Sequence, residues 1–435
     1  MSTSRYNFSA AFQVLSAFSG WLMDGYVSIG YVIVAPILAS IFFPSTFSHT
    51  YALLLIFLGL VVGAIARFIG SIILGNFLGD KLGRRKMLVY SIMGFSVSSF
   101  FIGFLPVYSQ VSYLAPVLLY FILFIVGLFA GAEYSGGATL SMEAVPQKAR
   151  LPVGAFVQSG YGVGFFIMLL VLAYLKSVFG IAQYDDLVWR VMFFTTIIPG
   201  IVALIIRLFT TESEVFVDMS EKNEIENVPA KGILKQIDST VASFILLTGL
   251  LLLNNVTLSF YPTFLGDLYA SLANSPLIDD YNAEINLISL VGVWIGGIVA
   301  YFIFRRKLTL GVYSVIFIVI LYPIYLLTTS NTLFLTLAAF SAIAFVEAAI
   351  FSSIPAYLAE IFSKSHRTTA MGTIYNGAAI PASFGISAIY FISSFHSVSM
   401  SAAWFLIMVV GSILLILGIV LSSETGIGGK DPITK

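Results

Sequence analysis

Apolar residues in this chain come in runs of about twenty or more, each closed by a short cluster of charged residues, glycine, proline or asparagine. About twenty helical residues, at 1.5 Å each, cross a hydrocarbon core of roughly 30 Å. Counting the runs between polar clusters predicts twelve helices, over 10–43, 51–79, 87–107, 111–142, 151–178, 188–208, 237–265, 284–304, 309–328, 331–361, 367–393 and 399–421. Several exceed the minimum span, which predicts tilt or ends that protrude from the bilayer. The longest polar stretch, 209–236, divides them into six and six. The pattern predicts an all-α polytopic membrane protein with bundles at 1–208 and 237–435 and a cytoplasmic linker between them.

Composition narrows the class. The 435 residues are 59% hydrophobic and 10% charged, against roughly 25% charged in a soluble domain. So few charges cannot cover a water-facing surface. The first run follows Arg5, contains Asp24 and ends in no small-residue cleavage site, so it reads as a spanning helix and not a removable leader. Absence of cysteine excludes disulfides, thiolate metal sites and thiol catalysis. His49, His366 and His396 fall in predicted loops, and no Walker phosphate loop is present. An enzyme and an ATP-driven pump are therefore set aside, and no metal or cofactor is expected. A net charge of zero points to no nucleic acid. The expected partners are a small solute, protons and the lipid bilayer, with the chain acting as a monomer.

Basic residues set the orientation. With a cytoplasmic N-terminus, the loops on that side carry eighteen of the twenty-one Lys and Arg, against Lys176 and Arg190 on the other side. Both termini are then cytoplasmic, in the plasma membrane. The halves also echo each other. Arg84-Arg85 follow the second helix, and Arg305-Arg306 follow the eighth, 221 positions on. Glu143 precedes Arg150 by seven residues, and Glu360 precedes Arg367 by the same seven. Two similar bundles around a midplane site is the plan of a rocking carrier.

Two stretches carry a family resemblance. GDKLGRRK at 79–86 resembles the signature loop of the major facilitator superfamily, and GAEYSGGATLSMEAVPQKARLPVGAFVQSGYGVG at 131–164 resembles its metabolite:proton symporter branch. Glu133, Glu143, Pro146 and Arg150 keep that branch's register, as do Trp189-Arg190, Glu360, Arg367 and Tyr375-Asn376. The resemblance implies proton-coupled transport of a small organic acid or osmolyte. It departs at helix 2, where Arg67 stands one residue further from Asp80 than usual, a shift that rotates a helix by about 100°. It departs again at helix 1, where Asp24 is present but Val27 holds the second acid's place, and at Glu347, an acid not expected in helix 10.

Asp24, Arg67, Glu133 and Glu347 all fall ~18–21 Å into their helices at 1.5 Å per residue. Each costs at least ~2.5–3.5 kcal/mol at a helix centre, so each should face a bundle interior or a wet cavity. One base cannot neutralise three acids. Arg67 is expected to bind the anionic head of a carboxylate solute through its fork. An acid displaced from it, Glu133 or Asp24, would then take up a proton, and Glu347 joins the proton-coupling candidates. The alternative is a structural ion-pair cluster, and for Glu347 a protonated acid bonded to Ser341 or a backbone carbonyl. Tyr26, Tyr134, Gln158 and Tyr161 are candidates for lining the cavity from the first half, and Asn254, Asn255, Tyr261, Tyr375 and Asn376 from the second. Gly63, Gly70 and Ser71 share the helix face of Arg67. Asp80, Arg84, Arg85, Glu143, Arg150, Glu360 and Arg367 read as conformational clamps at the cytoplasmic ends. Competing functions are a facilitator without proton coupling, a non-transporting sensor, and a symporter of sugar, phosphate or a zwitterionic osmolyte.

Overall fold

The computed structural model describes residues 2–74, 83–179, 187–222, 230–269, 277–330, 332–395 and 398–425. Among the described residues the long helices form twelve segments, apart from short helices such as Glu214–Glu221: α1 (Ser2–Ile33, continued by Ala35–Phe42), α2 (His49–Leu74), α3 (Arg84–Ile102), α4 (Leu114–Glu143), α5 (Arg150–Phe179) and α6 (Trp189–Phe194 and Ile197–Phe209) form the first six. Then come α7 (Ile237–Asn254, a π-helical turn Asn255–Ser259, then Tyr261–Leu268), α8 (Leu277–Ile303), α9 (Arg306–Thr328), α10 (Leu333–Phe351 and Ile354–Ile361), α11 (Arg367–Ser393) and α12 (Met400–Leu421). Among the described residues nine helices are long and apolar enough to cross a membrane, and the pair bent by 56° at Val34 makes ten. The other two, α3 and α11, are diluted by serine, threonine, glycine and asparagine. That composition suits α11, which is buried along most of its length and has little surface to offer lipid.

Where helices break, the sequence explains it. A proline cannot donate the i→i−4 bond but fits the first turn of a new helix. Pro36 and Pro355 stand in the first turn of the continuing pieces of α1 and α10, and the last piece of α7 also carries a proline there. Large apolar side chains such as Val319, Phe302 and Phe334 remain exposed on the outer surface of α8, α9 and α10. That belt belongs in hydrocarbon, and the polar residues turn inward.

Packing between the two groups of six is repeated about a pseudo-twofold. Helix α2 lies against α11, and α5 lies against α8, which is the same contact with the halves exchanged. Glycine makes the close approaches possible. A Cβ at Gly70 would strike the backbone carbonyl of Leu128 in α4, and one at Gly297 would strike Ala155 across the α5–α8 contact. Gly63, on the same face as Gly70, meets nothing within 4 Å because it borders open space.

Candidate functional site

That open space is a cavity of about 180 Å³ between the first and last six helices, walled by α1, α2, α4, α5, α7 and α11. Arg67 reaches into it from α2. Its Nη1 donates to Asp24 Oδ2 at 2.8 Å and its Nη2 to Asp24 Oδ1, a forked pair between α2 and α1. Ser28, one turn after Asp24, donates to Oδ1 at 3.1 Å. The carboxylate is 3% exposed while the guanidinium side chain keeps 20%, so a solute can reach the cation from the cavity. The extra residue between Arg67 and Asp80 therefore does not turn Arg67 away from the cavity; Asp80 lies outside the described residues.

Of the predicted lining residues, Gln158, Tyr161, Asn254, Asn255, Tyr375 and Asn376 border the cavity. The adjacent Asn254 and Asn255 diverge where the regular helix gives way to the π-turn. Asn254 donates to Glu347 Oε1 at 3.0 Å, whereas Asn255 donates to the Ala382 carbonyl of α11 at 3.1 Å. Asn376 spans the halves by donating to the Gly131 carbonyl at 3.0 Å. Glu347 is buried behind Asn254, which fills the role expected of Ser341.

Four expectations need correction. Glu133 does not join the Arg67 cluster: Arg207 holds it with a two-pronged pair, Ser91 donates to it at 2.5 Å, and both charged side chains are 1% exposed. Arg207, near the end of the helix predicted over 188–208 and not singled out there, lies in the last turn of α6 and also donates to the Leu88 carbonyl. A second base thus supplies the neutralisation that one could not. Tyr26 lies two residues, or about 200°, around α1 from Asp24, and its hydroxyl pairs with Thr195 at 2.6 Å away from the cavity. Tyr134 is buried beneath the cavity, stacked on Tyr375 with ring centroids 3.7 Å apart and tilted against Trp21. Tyr261 stacks on Phe340 at 4.0 Å within the last six helices. Sequence reasoning also missed Trp21, Ser28, Ser259 and Ser383, which border the cavity. Trp21 and Ser28 were legible in principle, since i−3 and i+4 from Asp24 share its face.

Below this aromatic floor, on the side of the basic loops, two ion-pair groups repeat each other. Arg84 and Arg367 both hold Glu143, the latter at 3.0 Å. Arg306 and Arg150 both hold Glu360, at 2.7 and 3.4 Å. In each group one arginine comes from the same half as the acid and one crosses from the other. Arg306 was foreshadowed by its echo of Arg85's doublet, but its pairing was not read. Arg85 does not cross between the halves: it caps the end of α6 by donating to the Leu208 carbonyl at 2.7 Å. The stretch taken as the start of the linker also belongs to this lock, because Ser213 donates to Glu143 at 2.5 Å and Glu212 accepts from the Arg85 backbone at 3.1 Å.

Known proteins resemble this chain in sequence and in fold. The chain is 32% identical to the shikimate transporter of Escherichia coli K12 over 203 residues, 46% of each chain. It is 34% identical to the inner membrane metabolite transport protein YhjE of the same organism over 218 residues, 50% of this chain and 48% of that one. These matches span about half the length of the relatives. The proline/betaine transporter of E. coli K12 is 26% identical over 404 residues, 89% of this chain and 79% of the relative. A solved structure of the proton:xylose symporter XylE bound to 6-bromo-6-deoxy-D-glucose superposes with a TM-score of 0.74 at 16% identity, covering 94% of this chain and 96% of that one. The E. coli xylose transporter XylE in a partially occluded inward open conformation gives 0.70 at 16% identity, covering 95% and 96%; both likenesses concern the fold alone. The family model of the Major Facilitator Superfamily matches residues 64–323, more than half the chain. With that match over more than half its length, the chain belongs to the Major Facilitator Superfamily of multi-pass membrane transporters.

Proposed function

We propose that this carrier moves a small carboxylate-bearing metabolite together with a proton by alternating access. The single observation that carries the reading is the forked Arg67–Asp24 pair on the cavity wall, with the guanidinium partly open to solutes. A guanidinium is charged at all working pH values and presents a planar fork that matches a carboxylate. An incoming carboxylate competes with Asp24 for that fork. Asp24 is then left buried with Ser28 and takes a proton to stay neutral. For a solute that carries a single negative charge, solute plus proton leaves the site with the same net charge as the empty pair, so loaded and empty sites close equally well, while such a solute arriving alone adds a buried charge that opposes closure.

In this reading residues 1–208 and 237–435 rock as two bodies, joined by 209–236. The two arginine–glutamate groups lock the basic side, which we assign to the cytoplasm with both termini, in the plasma membrane. The cavity extends from Asp24 past Tyr31, Val32, Gly59 and Leu60, away from the basic loops. Shikimate, proline and betaine, named for three relatives, all carry a carboxylate.

One observation favours a narrower reading. Trp21, Tyr161 and Tyr375 gather beside the pair, with Trp21 at 6.1 and 5.8 Å from the two tyrosine rings. Aromatic faces attract quaternary ammonium groups. A zwitterionic osmolyte would place its carboxylate on Arg67 and its cation on that wall. A thermal-shift screen of the purified protein against shikimate, citrate, proline, betaine and xylose tests both readings, because ligands that bind the folded state raise its melting temperature by mass action. Shifts are expected for the carboxylates, largest for betaine if the aromatic wall counts. A shift with xylose alone refutes the carboxylate reading, and solute entry without alkalinisation of the medium refutes coupling.

A further inference from the structure

A second acid lies behind the cavity, among the last six helices. Glu347 of α10 is fully buried, with Asn254 Nδ2 on its Oε1 and no hydrogen-bond partner for Oε2 among the described residues. It borders a chamber of about 30 Å³ together with Gln158, Tyr161, Asn254, Ser289 and Phe351. That is room for a water or two. Gln158 is 8% exposed, and its Oε1 is likewise buried without a partner among the described residues. Gln158, Tyr161, Asn254 and Phe351 also border the main cavity, so the chamber adjoins it.

Two residues that each carry a buried, unpartnered acceptor oxygen therefore line one small chamber whose other walls include Leu258, Leu290, Val293 and Ala348. The titratable side chains that face Glu347 are tyrosines, Tyr161 from α5 and Tyr261 from the last piece of α7. From α8 comes Ser289, whose hydroxyl is turned to the Asn286 carbonyl at 2.9 Å. Tyr313 of α9 donates to the Gly296 carbonyl at 2.7 Å, away from the acid. Arg67 and Asp24 lie across the main cavity, and no cation pairs with Glu347 among the described residues. A carboxylate in this place has one amide donor and no counter-charge. A proton on Oε2 resolves both faults, because it removes the charge and converts an orphan acceptor into a donor for a chamber water or for Gln158.

The geometry points to a proton-binding site at Glu347, reached from the cavity past Gln158 and Asn254 and separate from the Arg67–Asp24 pair. Loading transfers one proton from a hydronium ion to the carboxylate, giving carboxylic acid and water, and unloading reverses it. Asn254 reads the state of the site. It is the last residue of regular helix before the π-turn of α7, a local widening that is frequent at functional sites. Its amide binds Glu347 on one side and borders the solute cavity on the other. A charged Glu347 grips that amide more strongly than a neutral one and holds α7 against α10. A solute that engages Asn254 pulls the other way. This proposal rests on the carrier reading, though not on the solute being a carboxylate.

The test uses the full chain in proteoliposomes with radiolabelled shikimate, proline and betaine as parallel probes. Glu347→Gln is expected to exchange probe at equal pH at the parent rate and to lose accumulation driven by a pH gradient. Accumulation by the variant equal to the parent overturns the proposal. So does joint loss of exchange and accumulation in a variant with an unchanged melting temperature, which would put Glu347 in solute binding. So does accumulation driven by a sodium gradient without a pH gradient. A second measurement needs neither a variant nor a solute. Dicyclohexylcarbodiimide adds to protonated carboxyls in apolar surroundings, and peptide mass spectrometry locates the adduct. Labelling of Glu347 that declines as pH rises supports the site, and no adduct at any pH overturns it. If no probe is transported, the solute reading fails while the labelling still decides this one.

Discussion

Two arginine–carboxylate pairs sit inside the first six helices, both forked and both bridging neighbouring helices, and they differ in what else can reach the guanidinium. Arg67 keeps a fifth of its side-chain surface beside the cavity, whereas Arg207 keeps 1%, held by Glu133, which Ser91 also bonds, and by the Leu88 carbonyl. Gly20 presses on the second pair, so a Cβ there would meet both Arg207 and Glu133. In the proposed reading the same two functional groups serve different ends. A sealed pair can only hold helices together, and its net stabilisation is small because two charges had to leave water. An open pair can exchange one carboxylate for another at little change in energy, which is what a carrier needs.

The comparison breaks most visibly at Arg207. Arg207→Met leaves Glu133 buried without its cation and is expected to destabilise by about 3–5 kcal/mol, seen as a large fall in melting temperature and in folded yield. Arg207→Met with Glu133→Gln removes both charges and is expected to restore most of that stability and to transport. If the double variant folds but does not transport, the sealed pair belongs to the mechanism and the contrast fails. Arg67→Lys sharpens the other side. A point charge replaces the fork, so half-maximal transport should shift by about 10–100-fold, in line with the loss of a charged hydrogen bond of roughly 1.5–3 kcal/mol. Its melting temperature should stay near the parent's, because Asp24 keeps a cation. A parent-like affinity would mean that the solute does not bind at Arg67.

The smallest effect is expected at the lock on the basic side. Glu143→Gln weakens the bonds from Arg84 and from Arg367 across the halves. A loss of about 1.4 kcal/mol shifts the balance of states tenfold. The chain has no cysteine, so a single Thr139→Cys, placed at the contact between α4 and α11 where Thr139 meets Met371, reports opening by its rate of maleimide labelling. Labelling should quicken about tenfold in the Glu143→Gln background by the same conversion. An unchanged rate would show that the aromatic floor of Trp21, Tyr134 and Tyr375 closes the path without the lock.

Much was legible in the chain itself. Runs of apolar residues long enough for the bilayer specify twelve helices, because in hydrocarbon every backbone group must be satisfied within its own segment. The repeated Glu-x6-Arg spacing, and the arginine doublets 221 positions apart, singled out residues that join two ion-pair groups repeated between the halves. Buried charges announced themselves by their cost, so Asp24, Arg67, Glu133 and Glu347 could be named as special without coordinates. Pairing could not be read in the same way. A helix places side chains every 100°, and an error of one residue in register, or a π-turn such as Asn255–Ser259, sends a residue to another neighbour.

Sequence alone therefore determined the class of molecule, the number of spans and the list of charges that needed a partner, since those follow from length, composition and the energetics of hydrocarbon. Only the tertiary structure decided which cation met which acid. It gave Glu133 to Arg207, opened Arg67 and Asp24 to the cavity, and set Glu347 behind Asn254 in a chamber of its own. The physical reason is that an ion pair in the membrane is made between helices, and the rotation and depth of each helix are settled by packing against its neighbours, at close approaches such as Gly70 on Leu128.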